Sequence, residues 1–293
     1  MGKVEKPVVG FLGEGVLGIA LSSSLTDAGY DVIMSESTTL GASRDLRAMA
    51  VFGSAAQVAE FADVIVTAGA PEDFLDVLKA AREVLEAKRI PPVIDTTTLP
   101  VSMKSLLRKE VVQRGSEYLD APVAGTSAMV DAGTAEIYVS GDRDTYLTYQ
   151  PLLKAMCNQV KYVGTSVNGS KVRLVSRLLA TIQAAATVEA LLYARRSGLG
   201  VDVEEMLVNQ HNVARGLVNR GVPRVPNELA EQPTPTLDAT TKEAGEVVSY
   251  AGEISAPVEL TRLAAECLHR LSVAGRGDAE LSELFIELMD APA

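Results

Sequence analysis

The sequence predicts two domains: an α/β domain over residues 1–164, built on a doubly wound and largely parallel sheet, then an all-helical domain over 165–293. Two observations carry this expectation. Short apolar, β-rich runs alternate with helical patterns as far as Gly164, and strand–helix–strand alternation builds a parallel sheet with right-handed crossovers and helices on both faces. Beyond Gly164 the strand-like runs stop, and helical segments rich in Ala and Leu take over.

The elements follow in order. VVGFLG (8–13) is a continuous apolar run ended by glycine, as in a strand buried on both faces. Residues 16–28 read as a helix closed by Gly29, since glycine favours the position just past a helix end. DVIMSE (31–36) is the second strand. Further strands are expected at DVIVTA (63–68), PPVIDT (91–96), EYLDAP (117–122), EIYVSG (136–141) and VKYVG (160–164), with helices over 73–87 and 101–114. The last strands are closely spaced, which suits antiparallel pairing. Residues 171–197 are apolar nearly all round, the pattern of a buried helix. Helices are then expected at 202–210 with Asp202 as cap, 237–252, 256–273 with Ser255–Pro257 as its start, and 279–290 after Asp278. A Pro-rich loop covers 220–236.

Composition excludes several classes. Hydrophobic residues make up 47% of the 293 residues, enough for packed cores. A net charge of -11 argues against nucleic acid as a partner, because such proteins carry basic patches that release counterions. No apolar run approaches the roughly 20 residues that span a bilayer, and the first strand begins too early for a secretory leader. Lys6 stands where a myristoylation signal needs Ser or Thr. Cys157 and Cys267 lie far apart without metal-ligand neighbours, so reduced thiols, no metal and a cytoplasmic location are expected.

The stretch GFLGEGVLG (10–18) holds the spacing G-x-G-x-x-G at Gly13, Gly15 and Gly18. In a dinucleotide site the first glycine permits the tight turn, the second lets backbone approach a pyrophosphate, and the third allows close helix–strand packing. The pyrophosphate would rest on free N–H groups of the helix that begins near Val16 and Leu17. Alone the pattern is weak, and a plain strand–helix turn would explain it. Context strengthens it: the glycines follow the first strand, and Glu36 ends the second, where a carboxylate can accept the adenosine ribose hydroxyls. Glu36 favours NAD over NADP, since it repels a 2′-phosphate, while Ser35, Ser37 and Arg44 keep NADP open. Glu14 is expected to point to solvent.

Across its whole length the sequence resembles the β-hydroxyacid dehydrogenases, relatives of 3-hydroxyisobutyrate dehydrogenase and 6-phosphogluconate dehydrogenase. After the glycine loop, VIDTTTLP (93–100) is similar to the family's Asp-x-Ser-Thr motif, and DAPVAGTSAMVDAGT (120–134) to its Asp-Ala-Pro-Val-Ser-Gly-Gly substrate segment. NGSKVRLVSRLLA (168–180) resembles the catalytic helix, Gly-x-x-x-Lys-x-x-Asn-Asn. TLDATTKEAGEVVSYA (236–251) and GRGDAELSELFIEL (275–288) resemble the Lys-Asp and closing Gly-x-Gly-Asp segments. The resemblance implies a Rossmann-type domain, a helical C-terminal domain used for dimerisation, and hydride transfer between a nicotinamide cofactor and an alcohol. It implies Thr98 beside the nicotinamide half and Lys242 closing over the cofactor. Without it, Lys242 would read as a solvated helix residue.

The departures fall on the proton-transfer set. Arg173 stands at the lysine position, Ser176 and Arg177 at the asparagine pair, and Ala124 and Thr126 flank Gly125 in the substrate loop. A buried lysine can be tuned toward neutrality, whereas arginine stays charged. It clamps a carboxylate or stabilises an oxyanion instead. Lys171 lies about 200° around the helix from Arg173, while Ser176, Arg177 and Ala180 share the arginine's side. Two arginines on one stripe suggest an anionic ligand. His211 is a candidate proton donor, although an ordinary polar helix residue explains it as well. His269 reads as a helix-surface residue, and Tyr118, Tyr138 and Asp131 as strand and loop structure. Three functions follow: an NAD(P)-dependent oxidoreductase for a small anionic hydroxy or carbonyl compound, with backbone N–H groups at Gly125 to Ser127 cradling its acid group; an imine reductase; or a cofactor-binding protein without dehydrogenase activity.

Overall fold

The computed structural model describes residues 6–13, 15–35, 50–52, 54–69, 74–165, 167–196, 236–255 and 257–279. The chain divides into two compact units, Met1–Arg173 and Leu174–Ala293. The division therefore falls inside a long helix rather than ahead of it near residue 165.

The first unit is an α/β layer structure. Its strands are β1 (Val9–Leu12), β2 (Val32–Ser35), β3 (Ala50–Phe52), β4 (Val64–Thr67), β5 (Val93–Asp95), β6 (Tyr118–Asp120), β7 (Val123–Ala124), β8 (Glu136–Gly141) and β9 (Gln159–Tyr162). The order across the sheet is β3-β2-β1-β4-β5-β6-β8-β7, with β9 pairing β8. Every pairing from β3 to β6 is parallel. The expectation of antiparallel pairing at the end holds for β8 against β6 and β7, but β9 runs parallel to β8. The difference is one of connection: α6 (Arg143–Met156) joins β8 to β9, and a crossover helix returns the chain in the same direction. This helix is capped by Asp142, whose carboxylate accepts from the N–H groups of Asp144 and Thr145 at 3.0 and 2.9 Å.

The remaining helices of this unit are α1 (Gly15–Asp27), α2 (Ala55–Phe61), α3 (Phe74–Glu86), α4 (Val101–Gln113) and α5 (Ser127–Asp131). Alternate strand residues enter two cores. Val9, Phe11, Val64 and Val66 pack with Leu21 and Leu25 of α1 and Leu153 of α6 on one face. Leu12, Ile33 and Ile65 pack with Val58 of α2, Val84 of α3 and Val111 of α4 on the other. Burial on both faces explains the unbroken apolar runs, and each fully buried Leu, Ile or Phe contributes about 1.5–3 kcal/mol. Gly10 has a steric reason: a Cβ there would lie 2.6 Å from Ile65 Cδ1 and 2.7 Å from Val58 Cγ1.

The long helix α7 (Asn168–Arg196) starts in the first unit. In the second unit Thr236 caps α8 (Leu237–Glu253) by accepting from the Ala239 N–H at 3.2 Å, and α9 (Glu259–Leu271) packs on α8. The start of α9 lies three residues later than the sequence suggests, because Ser255 turns the chain out of α8 with a φ of 53°. The helices expected at 202–210 and 279–290 and the loop at 220–236 lie essentially outside the described residues.

Candidate active site

Sheet order reverses at β1 and β4, the switch point where open α/β sheets bind ligands at the carboxyl ends of their strands. Three turns gather there: Gly13 after β1, Ala68–Gly69 after β4 and Thr96–Thr98 after β5. The Ala68 N–H donates to the Leu12 carbonyl at 2.8 Å, bringing the first two turns together. At Gly13 a Cβ would lie 2.3 Å from the Ala68 carbonyl oxygen, so only glycine fits. Gly15 opens α1, whose first N–H groups have no partner within the helix. Val16 is 70% exposed beside them, and Leu17 is half-buried against the core. These turns fit a dinucleotide pyrophosphate on α1, which calls for close backbone approach and open N–H groups. Gly18 corrects one expectation. An added Cβ would meet Gly13 and Phe11 at 3.6 Å, an ordinary contact, so helix–strand packing does not require glycine there.

Thr98 donates from both its N–H and its hydroxyl to the Gly69 carbonyl at 3.3 Å, and Thr96 donates from Oγ1 to the Thr67 carbonyl at 2.6 Å. The turn after β5 is thus tied to the turn after β4. In the substrate segment Gly125 has a φ of 153° and approaches Ala135 closely. Thr126 caps α5, its hydroxyl accepting from the Met129 N–H at 3.3 Å. That oxygen is therefore already engaged in structure. Ala124 ends β7.

On α7, Arg173 is 8% exposed and lies within the first unit. Ser176 is exposed on the same helix in the second unit. Arg177 forms an ion pair with Glu243 of α8 at 2.7 Å. Lys242 is exposed beside Glu243 on α8. Glu36 and His211 lie outside the described residues. Among the described residues no cluster of His, Cys, Asp and Glu has the makings of a metal site.

Sequence reasoning missed the charged centre beneath these turns. Lys104 of α4 is fully buried, its Nζ 2.9 Å from Asp120 Oδ1 and 3.5 Å from Asp95 Oδ1. Asp95 Oδ1 also accepts from the Thr67 hydroxyl at 3.1 Å and from the Thr97 N–H and hydroxyl at 2.9 and 2.5 Å. Asp95 Oδ2 accepts from the Tyr118 hydroxyl. Burial, reinforced by the charges of Asp95 and Asp120, pushes the Tyr118 phenol well above its ordinary range, so it stays a donor. Asp120 accepts from the Ser170 N–H and hydroxyl, both at 2.7 Å, and from Ser140 Oγ at 3.3 Å. One signal was available: Lys104 falls at helical spacing with the buried Val101 and Val111 on the inner face of α4.

Residues 8–164, more than half of the chain, match the family described as the NAD binding domain of 6-phosphogluconate dehydrogenase. The mitochondrial 3-hydroxyisobutyrate dehydrogenase of Mus musculus is 28% identical over 295 residues, covering 96% of this chain and 87% of the relative. The L-threonate dehydrogenase of Cupriavidus necator is 27% identical over 277 residues, covering 92% of each. In fold the chain is similar to the Mycobacterium tuberculosis 3-hydroxyisobutyrate dehydrogenase solved with L-serine. There the TM-score is 0.83 at 22% identity, over 97% of this chain and 99% of that one. An imine reductase from Pseudomonas sp. aligns with a TM-score of 0.59 at 20% identity, over 97% and 100%. The glycine turn at the switch point, the matched NAD binding domain and the relatives agree: the chain belongs to the β-hydroxyacid dehydrogenase family and is an NAD(P)-dependent oxidoreductase of that type.

Proposed function

We propose that this enzyme transfers a hydride between NAD(P) and a small anionic hydroxy or carbonyl compound, and that Arg173 recognises the anion. The observation that carries the reading is a buried arginine on α7 where the family places a lysine. A guanidinium keeps its charge at all working pH values and offers a planar fork to a carboxylate or a developing oxyanion. The relatives named for 3-hydroxyisobutyrate and L-threonate, both small hydroxy acids, support this class.

When bound, the dinucleotide supplies a two-electron hydride donor or acceptor. The chain does the rest. Gly13, Gly15 and the first turn of α1 hold the pyrophosphate, Glu36 the ribose with a preference for NAD, and Thr98 and Lys242 the nicotinamide side. Backbone N–H groups from Gly125 to Ser127 orient the substrate's acid group. Arg173 stabilises the reacting oxygen or the carboxylate but does not carry the proton. In this reading Ser176 or His211 passes that proton. A homodimer built on the helical domain and a cytoplasmic location complete the reading; among the described residues no helix is long and apolar enough to cross a membrane.

The test is steady-state kinetics on 3-hydroxyisobutyrate, L-threonate, short aldehydes and cyclic imines, with Arg173→Lys and Arg173→Met beside the wild type. Loss of a charge-assisted contact worth about 1.5–3 kcal/mol predicts a 10- to 100-fold fall in kcat/KM for the acid in Arg173→Met. NADH affinity should be unchanged. Turnover on imines alone would transfer the chain to the reductase reading, and cofactor binding without any turnover would make it a binding protein.

A further inference from the structure

The first turn of α7 is docked end-on against the sheet. Two N–H groups that a helix start leaves without intrahelical partners are taken by side chains from distant strands. The Gly169 N–H donates to Ser140 Oγ at 2.8 Å, and the Ser170 N–H to Asp120 Oδ2 at 2.7 Å. Asp120 is thus an anion seated at the positive end of a 29-residue helix. Its approach needs Gly169, where a Cβ would lie 2.2 Å from the Tyr138 carbonyl oxygen and 2.9 Å from that of Asp120. On its other side Asp120 holds Lys104, which reaches Asp95, which in turn holds the N–H and hydroxyl of Thr97.

We infer that this buried chain, Thr97–Asp95–Lys104–Asp120–Ser170, is a brace that couples the turn after β5 to the rotational phase of α7, making Thr97, Lys104 and Ser170 positioning residues. The inference rests on the proposed role of that turn and of Arg173. All five residues lie in the first unit, so the brace acts within one compact unit. Arg173 is three residues beyond Ser170, about 4.5 Å along the helix axis and less than one turn away. The anchor therefore dictates where its side chain emerges. A fully connected, buried polar network is directional, which apolar packing of the same volume is not.

The experiment measures NADH affinity by nicotinamide fluorescence in wild type, Thr97→Val, Ser170→Ala, Ser170→Thr and the Thr97→Val/Ser170→Ala double variant. Thermal melting serves as the folding check. Ser170→Ala keeps its N–H bond to Asp120 and loses only the hydroxyl bond. It is expected to bind NADH about three- to ten-fold more weakly although the Ser170 hydroxyl is bonded to Asp120, and Ser170→Thr should bind within two-fold of wild type. The double variant should lose clearly less than the product of the two single losses. Should Ser170→Ala melt below the assay temperature, Ser140→Ala, which frees the Gly169 N–H at the same anchor, carries the same expectation. Wild-type affinity in Ser170→Ala, or single losses that simply multiply, would overturn the brace while leaving the proposed function standing. A wild type that binds no NADH would overturn both.

Discussion

Replacing Lys104 by methionine keeps an unbranched side chain, one heavy atom shorter, and removes its charge. The ammonium lies 2.9 Å from one carboxylate and 3.5 Å from another, and its side chain is fully buried. Its loss strands Asp95 and Asp120 in the interior without a cation, and breaking a buried pair by removing one partner costs about 3–5 kcal/mol. At roughly 2–4 °C per kcal/mol for domains of this size, Tm should fall by about 6–20 °C. In urea, with m about 2 kcal/mol/M, the midpoint should drop by about 1.5–2.5 M. Lys161 is the control. It touches Glu136 at 2.7 Å, closer than Lys104 to either partner, but its side chain is 54% exposed. A solvated pair is worth about 0.2–1 kcal/mol and is screened by salt. Lys161→Met should thus shift the midpoint little, and less still at high salt, whereas the Lys104→Met deficit should persist there. Equal losses in the two variants would refute the claim that burial, rather than distance, sets the strength of these pairs.

Gly13→Ala forces a Cβ to within 2.3 Å of the Ala68 carbonyl and should weaken NADH binding at least ten-fold by fluorescence titration. Gly18→Ala, with contacts at 3.6 Å, should stay within a few-fold of wild type, and the reverse ranking would sink this account of the glycine turn. Burial pushes the Cys157 thiol up to about 12, so Ellman's reagent at pH 8 should titrate one thiol, the half-buried Cys267, in the folded chain and two after denaturation. Two fast thiols in the folded protein would contradict the buried position of Cys157. Tyr118 holds its proton in the folded state at pH values where an unfolded tyrosine, near 10.0, ionises. Its contribution is therefore fully present below about pH 10 and is lost as pH rises further. Urea midpoints from pH 8 to 11 should show that alkaline slope in wild type and a shallower one in Tyr118→Phe.

The layer structure was legible because it is written in local periodicity. β1, β4, β5 and β8 coincide with apolar runs, and α1 and α4 sit within a residue of where their patterns place them. Backbone geometry repeats every two or 3.6 residues, so a run of side chains states which faces are covered. The close approach that the glycine spacing states was legible at Gly13, while at Gly18 the spacing asks for more than the packing requires. The shorter elements were less so. β7 and α5 span two and five residues, too few for a pattern to rise above its surroundings.

What tertiary structure alone decided is which charges meet. Lys104 and Asp120 are 16 residues apart, Asp120 and Ser170 are 50, and Arg177 and Glu243 are 66. In a linear reading Lys104 is one more basic residue in VSMKSLLRKE, and Arg177 a companion of Arg173. Folding carries the first into the core between two carboxylates and commits the second to a glutamate on another helix. The sequence determines the direction in which each side chain leaves the backbone; which partner waits there depends on how separate elements pack. That is why the glycine-bearing turn and the sheet beneath it were readable from residue order, while the charged centre that ties the turn after β5 to α7 emerged only from the assembled layers.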